Sequence, residues 1–244
     1  MAGVHLSLVI PAYNEEKRLP GTLESVAGYL DRQGYGYEVV VVDGGSTDGT
    51  SEVVKAFQKD HPHFKLIRLP RNKGKGFHVR TGILSAAGEY VVFTDADLST
   101  PVEEVEKLLL DLTRECDLVI GSRRGAESQA VLSKSRLRRR MSEFYGSLNR
   151  FIGIIDIEDV PCGFKGFRRD AAQKLFSLTR LNGFSFDAEV LYLAQHKLHY
   201  RVGQVPIRWV HAKGSKVNLL RDPGRMALDL LRIKFYDWRG LYKT

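Results

Sequence analysis

Two aspartates, Asp95 and Asp97, follow the apolar run Tyr90-Val91-Val92-Phe93. Carboxylates spaced this way at the end of a buried strand can reach one hard cation, directly or through its water. Mg²⁺ and Mn²⁺ favour one or two carboxylates completed by substrate phosphate oxygens. An Asp-x-Asp pair is also common in surface loops, so its position after a buried run carries the argument. Asp43 ends a second apolar run and opens Gly44-Gly45-Ser46-Thr47-Asp48-Gly49. Two readings stand side by side there. One is a glycine turn in which Ser46 or Asp48 caps the next helix. The other is a carboxylate that accepts a hydrogen bond from a nucleobase or ribose. Lys73-Gly74-Lys75-Gly76 precedes a helical pattern. It could cradle phosphate through backbone N–H groups and a lysine, although its spacing is not that of a Walker motif.

The elements that must position these groups alternate along the first half. Leu6–Ala12 is a strand pattern, and Leu19–Gln33 is helical, with Leu19, Leu23, Val26 and Leu30 on one face. Glu38–Asp43 contains four consecutive valines and reads as a fully buried parallel strand. Helices follow at Thr50–His61, Lys75–Ala87 and Val102–Arg114, with strands at Phe64–Leu69, Tyr90–Thr94 and Asp117–Gly121. This order predicts an α/β fold, a mostly parallel central sheet with helices on both faces. Ligands of such sheets sit at the carboxyl ends of the strands, where Pro11–Glu15, the Asp43 loop and Asp95–Asp97 all fall. The second half is less regular. A long helix is expected over Leu137–Ile154, a loop around Cys162-Gly163-Phe164, and helices near Arg169–Phe176 and Phe186–Gln195. A strand over Tyr200–Trp209 and a closing helix over Pro223–Trp238 complete the reading.

Composition narrows the class. With 244 residues, 43% apolar and 27% charged, the chain can bury a large single core. The longest stretch free of Asp, Glu, Lys and Arg is Met1–Asn14, shorter than the roughly 20 residues of a spanning helix. No signal peptide is expected. Two cysteines make no disulfide framework and suit a reducing cytoplasm. Charge is unevenly spread: residues 1–122 carry net −5, residues 123–140 net +6, and residues 201–244 net +7. Such basic blocks suit a phosphate substrate, a polyanion or an anionic membrane surface, or are simply solvated helix faces.

Taken together the motifs are more specific than any one of them. The chain resembles the family 2 inverting glycosyltransferases of the GT-A fold through Val9-Ile10-Pro11-Ala12-Tyr13-Asn14-Glu15-Glu16, Val42–Thr50, Asn72–Gly76, Asp95-Ala96-Asp97 and Ile120-Gly121-Ser122-Arg123. Asp159–Lys165, Phe184–Leu191 and Gly214-Ser215-Lys216 are similar to the polyprenyl-phosphate branch, nearest to its dolichyl-phosphate β-glucosyltransferases. The resemblance implies metal-dependent, inverting transfer of a hexose, with UDP-glucose as donor and a polyprenyl (dolichyl-type) phosphate as acceptor. It divides the single domain into a nucleotide-sugar half (1–122), an acceptor half (123–222) and a closing amphipathic helix (223–244). Mg²⁺ or Mn²⁺ would be held by Asp95 and Asp97, with Ser99 close by. Pro11, Tyr13, Glu15, Val41, Asp43, Lys75, Asp95, Ala96, Asp97, Arg123 and Asp187 would line the nucleotide-sugar site. Arg123 and Lys216 would supply fixed positive charge, Asp159 would orient acceptor or sugar, and Arg136, Arg138 and Lys216 would meet the acceptor phosphate.

Three departures stand out. The family's second motif usually carries two aspartates, and here the second is Gly44. Where mannosyl relatives carry an arginine six residues before the lysine, this chain has Val210. The eukaryotic glucosyl enzymes carry an N-terminal membrane anchor, and none is expected here. Attachment would instead be peripheral, on the cytoplasmic face, through Lys134–Arg140 and the closing helix. On that helix Met226, Ala227, Leu228, Leu230, Leu231, Ile233, Phe235 and Trp238 fill a broad apolar arc, with Arg225, Arg232 and Arg239 expected opposite. The alternatives are a packed helix or a dimer seam. The competing functions are a transferase acting on a soluble glycan, a GDP-mannose-using mannosyl enzyme, a non-catalytic nucleotide-sugar module, and a nucleic-acid binder. The last is not favoured, because no aromatic-stacking or helix-turn-helix motif accompanies the charge.

Overall fold

The computed structural model describes residues 3–123, 146–154, 156–157, 159–210 and 222–243. Arg136, Arg138 and Lys216, and with them the stretch Lys134–Arg140, lie outside the described residues.

Strands β1 (Leu6–Ala12), β2 (Tyr37–Asp43), β3 (Phe64–Arg68), β4 (Tyr90–Phe93), β5 (Leu118–Ser122), β6 (Lys165–Arg168) and β7 (Val202–Pro206) form one sheet in the order β3-β2-β1-β4-β6-β5-β7. All pairings are parallel except those of β6, which runs antiparallel between β4 and β5. The four valines of β2 are wholly or almost wholly buried, as a strand covered on both faces requires.

Helices α1 (Leu19–Leu30) and α2 (Thr50–Phe57) carry the chain outward from β1 to β3. Helix α3 (Lys75–Ser85) carries it back across to β4. Right-handed crossovers in opposite directions place α1 and α2 on one face and α3 on the other. Gly82 lets α3 settle onto the sheet, since a Cβ there would lie 2.4 Å from Val9 Cγ1. Helix α4 (Val105–Arg114) enters through a 3-10 turn at Val102–Glu104 and buries Val105, Leu108 and Leu112. Helices α5 (Arg169–Leu178) and α6 (Phe186–His196) complete the α3 layer, and α7 (Asp222–Trp238) packs on α6.

The first five strands lie where the apolar runs predicted, to within a residue or two. Helices α1 and α2 end three and four residues before the periodicity predicted, and β7 is shorter than Tyr200–Trp209. β6 is the unexpected element. Lys165-Gly166-Phe167-Arg168 carries no apolar run. Gly166 is where α4 presses on the strand, with a Cβ there meeting Leu112 Cδ1 at 3.0 Å. Of the helix expected over 137–154, the described residues 146–151 are helical.

Candidate active site

The carboxyl ends of β1, β2, β4 and β5 and the amino end of antiparallel β6 all open on one edge of the sheet. The acidic loop leaves β4 there. Its Ala96 carbonyl accepts a hydrogen bond from Thr22 Oγ1 of α1 at 2.6 Å, and the Leu98 N–H donates to the Asp95 carbonyl at 3.1 Å. Leu98 holds φ of 44°, so the turn is held in the left-handed region by a bulky residue. The Ser99 N–H donates to Asp97 Oδ1 at 3.0 Å, which fixes that carboxylate. Ser99 in turn accepts the Val210 N–H at 2.7 Å.

Positive groups face this loop from other elements. Lys75, the first residue of α3, places Nζ 2.6 Å from Asp95 Oδ1. Burial disfavours its charge, but Asp95, Asp187 and Asp97 outweigh that and raise its pKa. Lys165, wholly buried at the start of β6, donates to the Val160 carbonyl at 3.0 Å and to Asp187 Oδ1 at 2.6 Å. Burial raises the Asp187 carboxyl, partly offset by the Lys165 and Lys75 ammoniums. Gly163 lies against Asp95, for a Cβ there would fall 2.2 Å from Oδ2.

Arg123 follows β5 and grips Asp159 with Nε at 2.7 Å and a terminal nitrogen at 2.6 Å, while its backbone N–H donates to Oδ2 at 2.9 Å. Its guanidinium lies 5.7 Å from the Trp209 ring centroid. Burial alone would raise the Asp159 pKa, yet the three Arg123 contacts hold it below the usual carboxylate range. Burial likewise opposes the Arg123 charge, and Asp159 more than restores it.

Asp43 is wholly buried. It accepts the Ser46 N–H at 2.9 Å and the Ser46 hydroxyl at 2.6 Å on one oxygen, and the Ser51 hydroxyl on the other. The Asn14 N–H donates to Ser46 Oγ at 2.8 Å, and the Glu15 N–H to Thr50 Oγ1 at 2.8 Å. The β1 and β2 loops are thereby tied into one surface.

Residues 7–176 match the family model described as Glycosyl transferase family 2. The chain belongs to that family. It is 36% identical over 251 residues to the dolichyl-phosphate beta-glucosyltransferase of Mus musculus, covering 98% of this chain and 77% of that protein. It is 35% identical over 258 residues to the enzyme of the same name from Saccharomyces cerevisiae, covering 98% and 77%. Mannosyl-3-phosphoglycerate synthase from Rubrobacter xylanophilus shares the fold with a TM-score of 0.70 at 17% identity, covering 99% of this chain and 76% of that one. Glucosyl-3-phosphoglycerate synthase from Mycobacterium tuberculosis, solved with Mg²⁺ and uridine diphosphate, does so with a TM-score of 0.67 at 22% identity, covering 96% and 79%. This is a GT-A glycosyltransferase.

Among the described residues no group of three or more His, Cys, Asp or Glu converges. Asp95 and Asp97 supply two carboxylates on one constrained turn, and the Asp95 side chain is 42% exposed. Two hard oxygen donors open to ligand fit Mg²⁺ or Mn²⁺ that complete their shell on a diphosphate.

The other expected site residues lie at different depths in the fold. Val41 is wholly buried in mid-strand, paired with Ile10 and Leu66, and offers no exposed surface at the strand-end edge. Asp43 builds the loop with its carboxylate, while the N-cap of α2 is Gly49 and carries no side-chain cap bond. Glu15 pairs with Arg18 at 2.8 Å, and its carbonyl accepts the Leu19 N–H at the start of α1. Pro11 and Tyr13 are half-buried at the edge, and Ala96 is buried beneath the acidic turn. Asp159 and Asp187 are each committed to a cation. Glu189 staples the chain end, accepting the Arg180 and Leu181 N–H groups and the Tyr242 hydroxyl at 2.6 Å. Lys165 lies outside the residues expected at the site. Its one signal in the sequence is a lysine directly after Phe164 and two residues before Phe167.

The closing helix also differs from the expected arrangement. Leu230 and Ile233 are buried, while Leu228, Leu231, Phe235 and Trp238 face outward, Trp238 with 79% exposure. The arginines are not opposite this stripe: Arg239 lies 5.3 Å from the Phe235 ring centroid and 6.0 Å from that of Trp238.

Proposed function

We propose that this glycosyltransferase transfers a hexose, glucose from UDP-glucose, to a polyprenyl phosphate of the dolichyl type at a membrane surface, with inversion at the sugar carbon. The observation that carries the reading is identity of 32–36% across nearly the whole chain to enzymes named for that transfer. It extends through the second half, where Arg123, Asp159, Lys165 and Asp187 are interlocked.

The acceptor phosphate is largely ionised near pH 7 and needs no strong general base. Its oxygen bonds to the anomeric carbon as the bond from that carbon to the diphosphate oxygen breaks. The remaining tasks are to stabilise the departing diphosphate and to bring two anions together. A divalent cation held by Asp95 and Asp97 would supply Lewis-acid stabilisation of the leaving oxygen. Lys75 and Arg123 hold fixed positive charge around the acidic loop and cost no reorganisation during reaction. The Asp43 loop and Pro11–Glu15 position the nucleotide. Arg136, Arg138 and Lys216 are assigned to the acceptor phosphate.

No described helix is long and apolar enough to cross a membrane. The outward stripe of α7, mixed with Arg225, Arg232 and Arg239, suits an interfacial helix with apolar side chains among acyl chains and basic ones at headgroups. Two unpaired cysteines suit the reducing, cytoplasmic side. The test is a product assay with UDP-glucose, UDP-galactose and GDP-mannose against a short polyprenyl phosphate. Lipid-linked glucose formed with release of UDP is expected. Transfer only to a soluble glycan would overturn the reading.

A further inference from the structure

Lys165 begins β6 and is wholly buried. Its backbone pairs with Phe93 of β4 and Ile120 of β5, so its α-carbon is fixed in the interior of the sheet. An ammonium has three N–H donors and accepts nothing. Here the three find the Val160 carbonyl at 3.0 Å, the Cys162 carbonyl, and Asp187 Oδ1 of α6 at 2.6 Å. Two of those acceptors belong to the loop that leads into the lysine's own strand, so residues 160–165 wind around the charge. The Cys162 N–H closes the turn on the Asp159 carbonyl at 3.1 Å. A buried ion pair is a weak source of stability, because well-packed apolar residues of similar volume often serve as well. What the ammonium supplies, and an apolar side chain cannot, is direction to two backbone carbonyls.

The same loop makes two contacts at the strand-end edge. At one end Asp159 holds Arg123 through three hydrogen bonds. At the other the Gly163 backbone lies on the Asp95 carboxylate, since a Cβ there would fall 2.2 Å from Oδ2 and 2.8 Å from Cγ. Lys75 Nζ stands 2.6 Å from Asp95 Oδ1, so that carboxylate sits between Lys75 and Gly163. Burial opposes the Arg123 charge, and Asp95 is near enough to join Asp159 in favouring it. One short loop therefore spans the gap between the acidic turn and Arg123, and its shape is set from within the core.

We propose that Lys165 is a positioning residue for transfer: by winding residues 160–163 around its ammonium it sets the distance between Asp95 and the Arg123–Asp159 pair, and with it the alignment of the departing diphosphate and the incoming acceptor phosphate. Wholly buried, it touches neither. This rests on the donor and acceptor reading above. A shift of about 1 Å in a positioned group can cost about 100-fold in rate, and two carbonyls released from their donor leave the loop free to make one.

The test joins kinetics of UDP-glucose transfer to a short polyprenyl phosphate with maleimide labelling of Cys162, read by peptide mass on the full chain. Cys162 is 1% exposed and should stay unlabelled in the wild type. Lys165→Met keeps the volume and removes all three donors. Its kcat should fall about 100-fold. Its KM for UDP-glucose should stay within about threefold, because the nucleotide end rests on the Asp43 loop and Pro11–Glu15, which Lys165 does not touch. Cys162 should become labelled while the circular dichroism spectrum stays native. Lys165→Met also strands the Asp187 carboxylate and lowers the melting point. Lys165→Met/Asp187→Asn removes that charge, so its melting point should return toward the wild type with Cys162 still open to label. Gly163→Ala leaves the ammonium intact and sets a methyl against Asp95, so it should slow transfer by a similar factor with Cys162 closed. If Lys165→Met does not fold, the double variant and Gly163→Ala carry the test. Wild-type kcat in Lys165→Met or in Gly163→Ala would overturn the proposal. So would closure of Cys162 in the double variant, which would make the lysine a counter-charge to Asp187 and nothing more. A wild-type chain that transfers no glucose would instead overturn the donor and acceptor reading, and Cys162 labelling would still decide what holds the loop.

Discussion

Removing either partner of the Arg123–Asp159 pair should destabilise the fold, and the two losses should not add. Asp159 is nearly inaccessible and accepts three hydrogen bonds from one residue, two from the guanidinium and one from the backbone N–H. Stripping one partner from a buried pair costs about 3–5 kcal/mol, because a charge is left in a poor solvent. The Arg123 side chain retains 23% exposure against 6% for Asp159, so water relieves a stranded arginine better than a stranded aspartate. Asp159→Ala should therefore cost about 2–3 kcal/mol, just below that range, and Arg123→Ala about 3–4 kcal/mol, within it. For a chain of this size those losses correspond to melting points lower by roughly 5–15 °C. The double variant should cost little more than Arg123→Ala, giving a coupling energy above about 1.5 kcal/mol. Urea unfolding of all four proteins at pH 7 measures this. The sign of the pH effect follows from Asp159. Its folded-state pKa is lowered, so the pair's contribution is fully present above the unfolded value of about 3.9. It is lost as pH falls through the lower folded value. Additive single losses, or a coupling unchanged down to pH 2, would refute the reasoning.

Asp97→Ala should leave the circular dichroism spectrum intact and abolish turnover, and excess chelator should do the same to the wild type; full activity in either case would remove the metal from this site. Asp43→Ala frees Ser46 and Ser51 and loosens the β2 loop, so UDP affinity by calorimetry should fall more than the saturated rate, with stability down by about 1–3 kcal/mol. Reversing Arg225, Arg232 and Arg239 together to glutamate should release the chain from anionic vesicles in co-sedimentation. Each exposed basic residue contributes about 1 kcal/mol at such a surface, and a short water-soluble acceptor should still be used normally. A wild type that stays in the supernatant at low and high salt would end the membrane reading.

Local pattern determined much of this protein. The valines of β2, the apolar run before Asp95 and the helical spacing of Leu19, Leu23, Val26 and Leu30 each specify an element from neighbours a few residues away. Right-handed crossovers then bring the strand ends to one edge, so the meeting of Asp95, Asp97 and the Asp43 loop there could be foreseen from the sequence. The long-range pairings around that edge could not. Arg123 meets Asp159 across 36 residues, Lys165 meets Asp187 across 22, and His78 meets Gly44 from another element. A charge has no periodicity, and nothing within a helical turn of it records which opposite charge will be brought near. β6 was hidden for the same reason. Its four residues include a lysine and a glycine, and they are a strand only because β4 and β5 leave one place between them and α4 needs Gly166 beneath it. That Asp43 binds Ser46 and Ser51 was likewise decided by tertiary structure, since a buried carboxylate takes the nearest donors the fold supplies.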